Sequence, residues 1–84
     1  MICESILQAF GQTPIVRLGA LSSELGINVF AKMESLNPGG SHKVRIALGM
    51  VLDAKRKGVL VRGKGQTIIE PSGGNTGIGL AIVG

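Results

Sequence analysis

Lys43 ends the run NPGGSHK, Asn37 to Lys43, and stands where an apolar pattern of helical spacing begins. An amine in the first turn of a helix faces the positive end of the helix dipole. That end disfavours the ammonium form, and Arg45 acts in the same direction. An uncharged lysine attacks aldehydes and forms a Schiff base. Gly39, Gly40 and Ser41 carry little or no side chain and leave room for a bulky group against the backbone. Taken alone, a lysine at a helix start is most simply a solvent-facing one, so this chemistry needs a second feature beside it.

Two further glycine-rich stretches compete for attention. Gly58 to Lys64, GVLVRGK, has the letters of a phosphate-cradling loop, but Gly65 stands where a magnesium-binding hydroxyl belongs. A strand before it and a helix after it are also missing, so it reads as a surface connection. Ser72 to Gly79, SGGNTGIG, follows a strand-like segment and opens a helix-like one. Its Gly73, Gly77 and Gly79 match the spacing of the nicotinamide-binding loop of short-chain dehydrogenases. Against that reading, the loop lies late in the chain, Pro71 interrupts its entry, and the chain contains no tyrosine for that family's catalytic motif.

The elements that must carry these loops follow from periodicity. Ser5 to Ala9 reads as a short helical turn stopped by Gly11 and Pro14. Pro14 to Leu18 reads as a strand, LSSELG as a short helix ended by Gly26, and INVFAKME as a strand. In that last strand Val29, Ala31 and Met33 share one face and Phe30 and Lys32 the other. Ile46, Ala47, Met50, Val51 and Ala54 recur at helical spacing, with Ser41 as the expected cap and Gly58 as the stop. Gln66 to Glu70 reads as a short buried strand, PSGGNTG as loop, and IGLAIVG as the start of a second helix. Strand, glycine loop and helix, twice over, describe half of an α/β domain built on a parallel sheet.

Composition narrows the function classes. The 84 residues hold 14 glycines and two phenylalanines, with no tryptophan or tyrosine, so large buried rings are scarce. A chain of this size with that packing material is a marginal independent folder. The net charge of +4 comes partly from Lys55, Arg56, Lys57, Arg62 and Lys64. No aromatics accompany them for stacking bases, so they read as a solvated helix end and loop, and no nucleic-acid partner is expected. Cys3 is alone, no Cys/His grouping has metal-ligand spacing, and no signal or membrane-spanning run is visible. The expected setting is cytoplasmic, with no membrane partner.

Read together, NPGGSHKVRIA and IIEPSGGNTGIGLA resemble the two motifs of the cysteine synthase (O-acetylserine sulfhydrylase) group of pyridoxal-phosphate enzymes. Their pattern is N-P-G-G-S-x-K-D-R followed by E-P-T-S-G-N-T-G. The opening ILQAFGQTPIVRL is similar to that family's I-x-x-x-I-G-N-T-P-L-V-R-L. The resemblance runs through nearly the whole chain in order. It implies a partial tryptophan-synthase-β-like (fold type II) α/β architecture, an incomplete three-layer α/β/α sheet. Residues 1–36 would be strands of the larger domain and residues 37–84 the start of the smaller one.

The same resemblance implies roles. Lys43 would bind the pyridoxal 5'-phosphate aldehyde and later take the substrate α-proton; Asn75 would hydrogen-bond the phenolic oxygen of the cofactor ring. Ser72, Gly73 and Thr76 would receive the carboxylate of an amino-acid substrate such as O-acetylserine. Exposed backbone N–H groups at a helix start attract anions, which agrees with that assignment. The reaction implied is loss of acetate and addition of sulfide, and a homodimer is implied as well. Three positions depart from the pattern: Val44 replaces the usual Asp, Gly73 the usual Ser, and His42 a small apolar residue. His42 neighbours Lys43 but points elsewhere on a helix, so it reads as structural or exposed. Family members are several times longer and have a separate phosphate-binding loop, so these 84 residues are expected to be an N-terminal fragment, inactive in isolation. A non-catalytic interaction remnant that pairs through its open strand edges is the remaining reading.

Overall fold

Ser5 starts the first turn. Its Oγ accepts the Leu7 amide at 3.2 Å and sets a 3-10 turn over Ile6–Ala9, as its sequence anticipates. In the computed structural model, which describes residues 1–84, three short elements follow. They are strand β1 (Ile15–Arg17), helix α1 (Gly19–Leu25) and strand β2 (Phe30–Lys32). Gly26 ends α1 in the left-handed conformation at φ 69, a position that favours glycine. Ser22 of α1 is buried, and its Oγ accepts the Val29 amide at 2.9 Å, which ties the helix to the approach of β2. The alternation read in β2 holds: Val29, Ala31 and Met33 are half-buried, and Phe30 and Lys32 are exposed.

The sheet corrects one expectation. β1 and β2 pair antiparallel, with Val16 opposite Ala31, and they pair only with each other. Gln66–Glu70 is not a strand either. A strand exists only through its ladder partner, and no strand pairs with this segment. Ile69 is accordingly 87% exposed rather than buried.

Helix α2 (Lys43–Arg56) and helix α3 (Asn75–Val83) pack against each other and form the core. Val44 and Ala47 are the two fully enclosed apolar residues, and they lie against Gly79 of α3. A β-carbon on Gly79 would fall 3.0 Å from Ala47 Cβ and 3.3 Å from the Lys43 carbonyl oxygen. The helices therefore meet backbone to side chain because position 79 carries no side chain. Gly39 has a similar job. At φ 89 it holds a left-handed turn, and a β-carbon there would lie 2.9 Å from Ile82 Cδ1 and 3.1 Å from Val44 Cγ1. The space expected beside Gly39 for a bulky ligand is thus filled by α3; of this glycine pair, Gly40 alone has open space at its Cα.

α2 ends as expected. Lys55 and Arg56 lie in its last turn, Gly58 follows at φ 74, and Arg56 and Lys57 both pair with Asp53. These pairs are solvent-exposed and add little stability. The GVLVRGK connection is closed by one side chain: Gln66 Oε1 accepts the Val61 amide and its Nε2 donates to the Val59 carbonyl, both at 2.8 Å. Only 6 of the 84 residues are buried, so the marginal core anticipated from composition is what the chain has.

A polar cluster joins the N-terminal segment to the lysine loop. Arg45 donates from Nε to Glu34 Oε2 at 2.8 Å and from Nη2 to Glu34 Oε1 at 2.9 Å. Thr13 Oγ1 donates to Glu34 Oε1 at 2.7 Å and Asn37 Nδ2 donates to Glu34 Oε2 at 2.8 Å. Asn37 Oδ1 in turn accepts the Gly11 amide at 2.8 Å, and Arg45 Nη2 reaches the Gly11 carbonyl at 3.1 Å. The Arg45 guanidinium first, then the Thr13 hydroxyl and the Asn37 amide, hold the Glu34 carboxyl at about 2 against an ordinary 4.5. A carboxyl with a lowered folded pKa stabilises above its unfolded value and loses that contribution as it is protonated. Folding stability should therefore hold from neutral pH down to about 4.5 and fall between there and about 2. Glu34→Gln should remove that part of the profile, which thermal melts across the window would measure.

Candidate active site

Lys43 occupies the first position of α2, and Ser41 Oγ accepts its backbone amide at 3.2 Å. The expected serine contact is present, although His42 is the residue at the N-cap. Lys43 lies beside the start of α3. Together with Glu70, Pro71, Ser72, Gly73, Gly74, Asn75 and Thr76 it lines a cleft of about 400 Å³. All five residues singled out by sequence, Lys43, Ser72, Gly73, Asn75 and Thr76, therefore meet at one place. The close contact at Gly79 accounts for this, because it lays the first turn of α2 beside the first turn of α3.

The loop before α3 is organised by Ser72. Its Oγ accepts the Gly74 amide at 3.0 Å and the Gly77 amide at 3.1 Å. Both lone pairs of the hydroxyl are engaged, so its hydrogen is left to donate outward. α3 begins at Asn75, earlier than the apolar run implied, because this serine supplies a cap that the pattern of apolar residues does not reveal. The Asn75 and Thr76 amides make no hydrogen bond within the chain. Two free N–H groups at the head of a nine-residue helix form an anion-attracting end. Ser72→Ala should cost about 1 kcal/mol of stability, in line with the loss of a helix cap, and loosen this loop. Circular-dichroism melts of the variant and the parent would measure it.

Other positions sort out as follows. Gly73 has an ordinary backbone conformation with no atom within 4 Å of a β-carbon, so that side of the loop is open. His42 is exposed and lies outside the cleft, as read from its place on the helix. Arg45 does not press on Lys43 as the sequence reading had it. Its charge is taken up by Glu34 on the other side of the helix. Glu70 also lines the cleft, a role that the strand-like composition of QTIIE conceals.

An amine, a side-chain amide, a hydroxyl with a free hydrogen and unpaired backbone N–H groups around one cleft make a suitable donor set for an anionic aldehyde. The match to known proteins is decisive. The family described as pyridoxal-phosphate dependent enzyme matches residues 6–84. The chain belongs to that family. Cystathionine beta-synthase of Apis mellifera is 53% identical over 83 residues, covering 96% of this chain and 16% of its own. Cysteine synthase 1 of Emericella nidulans is 51% identical over 78 residues, covering 93% of this chain and 20% of its own. The crystal structure of an O-acetylserine dependent cystathionine beta-synthase from Helicobacter pylori superposes with a TM-score of 0.82 at 37% identity, over 99% of this chain and 27% of that one. The architecture is thus part of a fold type II pyridoxal-phosphate enzyme, and the chain spans about a quarter or less of the length of these relatives.

Membership in the pyridoxal-phosphate family overturns the nicotinamide reading. The SGGNTGIG loop falls within the matched residues and faces a lysine across a polar cleft. The interaction-remnant reading gains no support either. No helix is long and apolar enough to cross a membrane, and no group of three metal-ligating side chains occurs.

Proposed function

We propose that these residues are the lysine-bearing side of a pyridoxal 5'-phosphate site in a β-replacement enzyme acting on an O-acetylserine-like amino acid, with sulfide or a related nucleophile as the second substrate. The convergence of Lys43 and the Asn75 loop on one cleft carries this reading. Lys43 Nζ binds the cofactor aldehyde and afterwards holds the proton taken from the substrate α-carbon. The Asn75 side-chain amide donates to the cofactor ring oxygen. The hydrogen of the Ser72 hydroxyl and the free amides of Asn75 and Thr76 orient the substrate carboxylate, with the Gly73 backbone beside them. When bound, the cofactor draws electron density from the α-carbon; the protein supplies position and charge.

No large apolar side chain lines the cleft, so these residues by themselves do not exclude water from a bound group. Capture of the aldehyde is expected from the 84-residue chain without sulfide-dependent turnover. The test exposes the purified chain to limiting pyridoxal 5'-phosphate, fixes adducts with borohydride and maps them by mass spectrometry. Lys43 should carry most of the label, ahead of Lys32, Lys55, Lys57 and Lys64. Label spread over the five lysines according to exposure would overturn the proposal.

A further inference from the structure

Lys43 has no hydrogen bond or ion pair on its own amine that would aim it at the cleft. Its direction must come from how the first turn of α2 is held. Ser41 reaches only one amide there, the N-cap residue His42 makes no capping bond, and the turn contains no acidic residue. It contains instead a second cation, Arg45, which the positive end of the helix disfavours. Something outside the helix holds that cation in place.

We infer that Glu34 and Arg45 are positioning residues for Lys43: their paired contact anchors the first turn of α2 and thereby points the lysine amine at the Asn75 loop. This rests on the reading of Lys43 as the aldehyde-binding lysine. Residues two apart on a helix point about 200° apart around its axis. Arg45 therefore reaches away from the cleft, toward Glu34 and Gly11, while Lys43 reaches into it. The Glu34 carboxylate receives donors from three separate segments: Thr13 before β1, Asn37 at the start of the lysine loop, and Arg45 on α2. Asn37 and Arg45 bracket the whole run from the loop to Lys43, so one carboxylate fixes both ends of it.

The geometry also requires Gly11. At φ 75 it turns in a left-handed conformation, and a β-carbon there would sit 2.5 Å from Arg45 Nη1. The guanidinium lies over a position that only glycine leaves open. The two-pronged contact is one that a carboxylate makes with arginine and not with lysine.

The test uses the full chain and the same labelling. Lys43 Nζ, as the free amine, attacks the aldehyde carbon. Water leaves as the carbon–nitrogen double bond forms, borohydride delivers hydride to that carbon, and the nitrogen takes a proton from solvent water. The readout is the ratio of label on Lys43 to the mean label on Lys32, Lys55, Lys57 and Lys64, a reference set that Arg45→Lys leaves unchanged. Glu34→Gln and Arg45→Lys should each lower the label on Lys43 relative to that mean about tenfold, within the hundredfold that a misplacement of about 1 Å can cost a reacting group. Ser22→Ala is the control: it removes the Val29 amide contact, far from the cleft, and lowers thermal stability without touching the Glu34 contacts. With Ser22→Ala the Lys43 ratio should stay at the parental value. An unchanged ratio in Glu34→Gln and Arg45→Lys, or an equal drop in Ser22→Ala, overturns the positioning role and leaves the proposed function standing. A parent chain with no preference for Lys43 overturns both.

Discussion

Lys43→Ala should abolish selective labelling of the chain by pyridoxal phosphate and borohydride, the largest effect expected of any single substitution here. The remaining lysines, 32, 55, 57 and 64, lie outside the cleft and should show only slow, unselective modification. The substitution should leave the fold intact. The Lys43 side chain makes no hydrogen bond or ion pair, and alanine is the stronger helix former, so melting should shift by no more than about 0.5 kcal/mol in either direction. Lys43→Arg keeps the charge and removes the reactive amine, and it should fail in the same way. Peptide mapping beside thermal melts separates lost chemistry from lost structure. Retained selective label in either variant would place the reactive amine elsewhere.

The second large effect is structural and falls at Gly79. The α2–α3 contact is the core of the chain, and it closes over this residue. Valine there would push into Ala47 and the Val44 backbone, and such overpacking costs typically about 1–3 kcal/mol. In a chain with two fully buried apolar residues that loss is a large part of the total. Gly79→Val should therefore melt far below the parent and lose the preference for Lys43, because the two first turns no longer meet. Gly79→Ala is the informative intermediate. Replacing glycine in a helix contributes about 1 kcal/mol, and the 3.0 Å approach to Ala47 opposes it, so this variant should lie close to the parent. A Gly79→Val chain that melts with the parent would show that the helices do not close over this position.

The sequence made the elements with strong local signals readable. The 3-10 turn at Ser5, the stop at Gly26, the alternation through β2 and the long helix ending near Gly58 all follow from capping, glycine chemistry and period. The lysine and the asparagine loop were also legible, because two motifs at a fixed order constrain each other. Gln66–Glu70 misled because five residues of strand-like composition say nothing about whether a neighbour exists to pair with. The contacts of Glu34 were invisible for a related reason. Thr13, Glu34, Asn37 and Arg45 are scattered along the chain, and each looks like an ordinary surface residue until folding brings them together. Gly39 was assigned to the wrong guest: glycine announces that something approaches closely, but not whether it is a ligand or, as here, the Ile82 side chain.

That last contact has a practical side. The Ile82 δ-methyl rests in the space left by Gly39, in the final turn of a helix whose other end faces Lys43. A carbon-13 label on this methyl would be a remote spectroscopic reporter, sensing the lysine loop from a position that no reagent in the cleft touches.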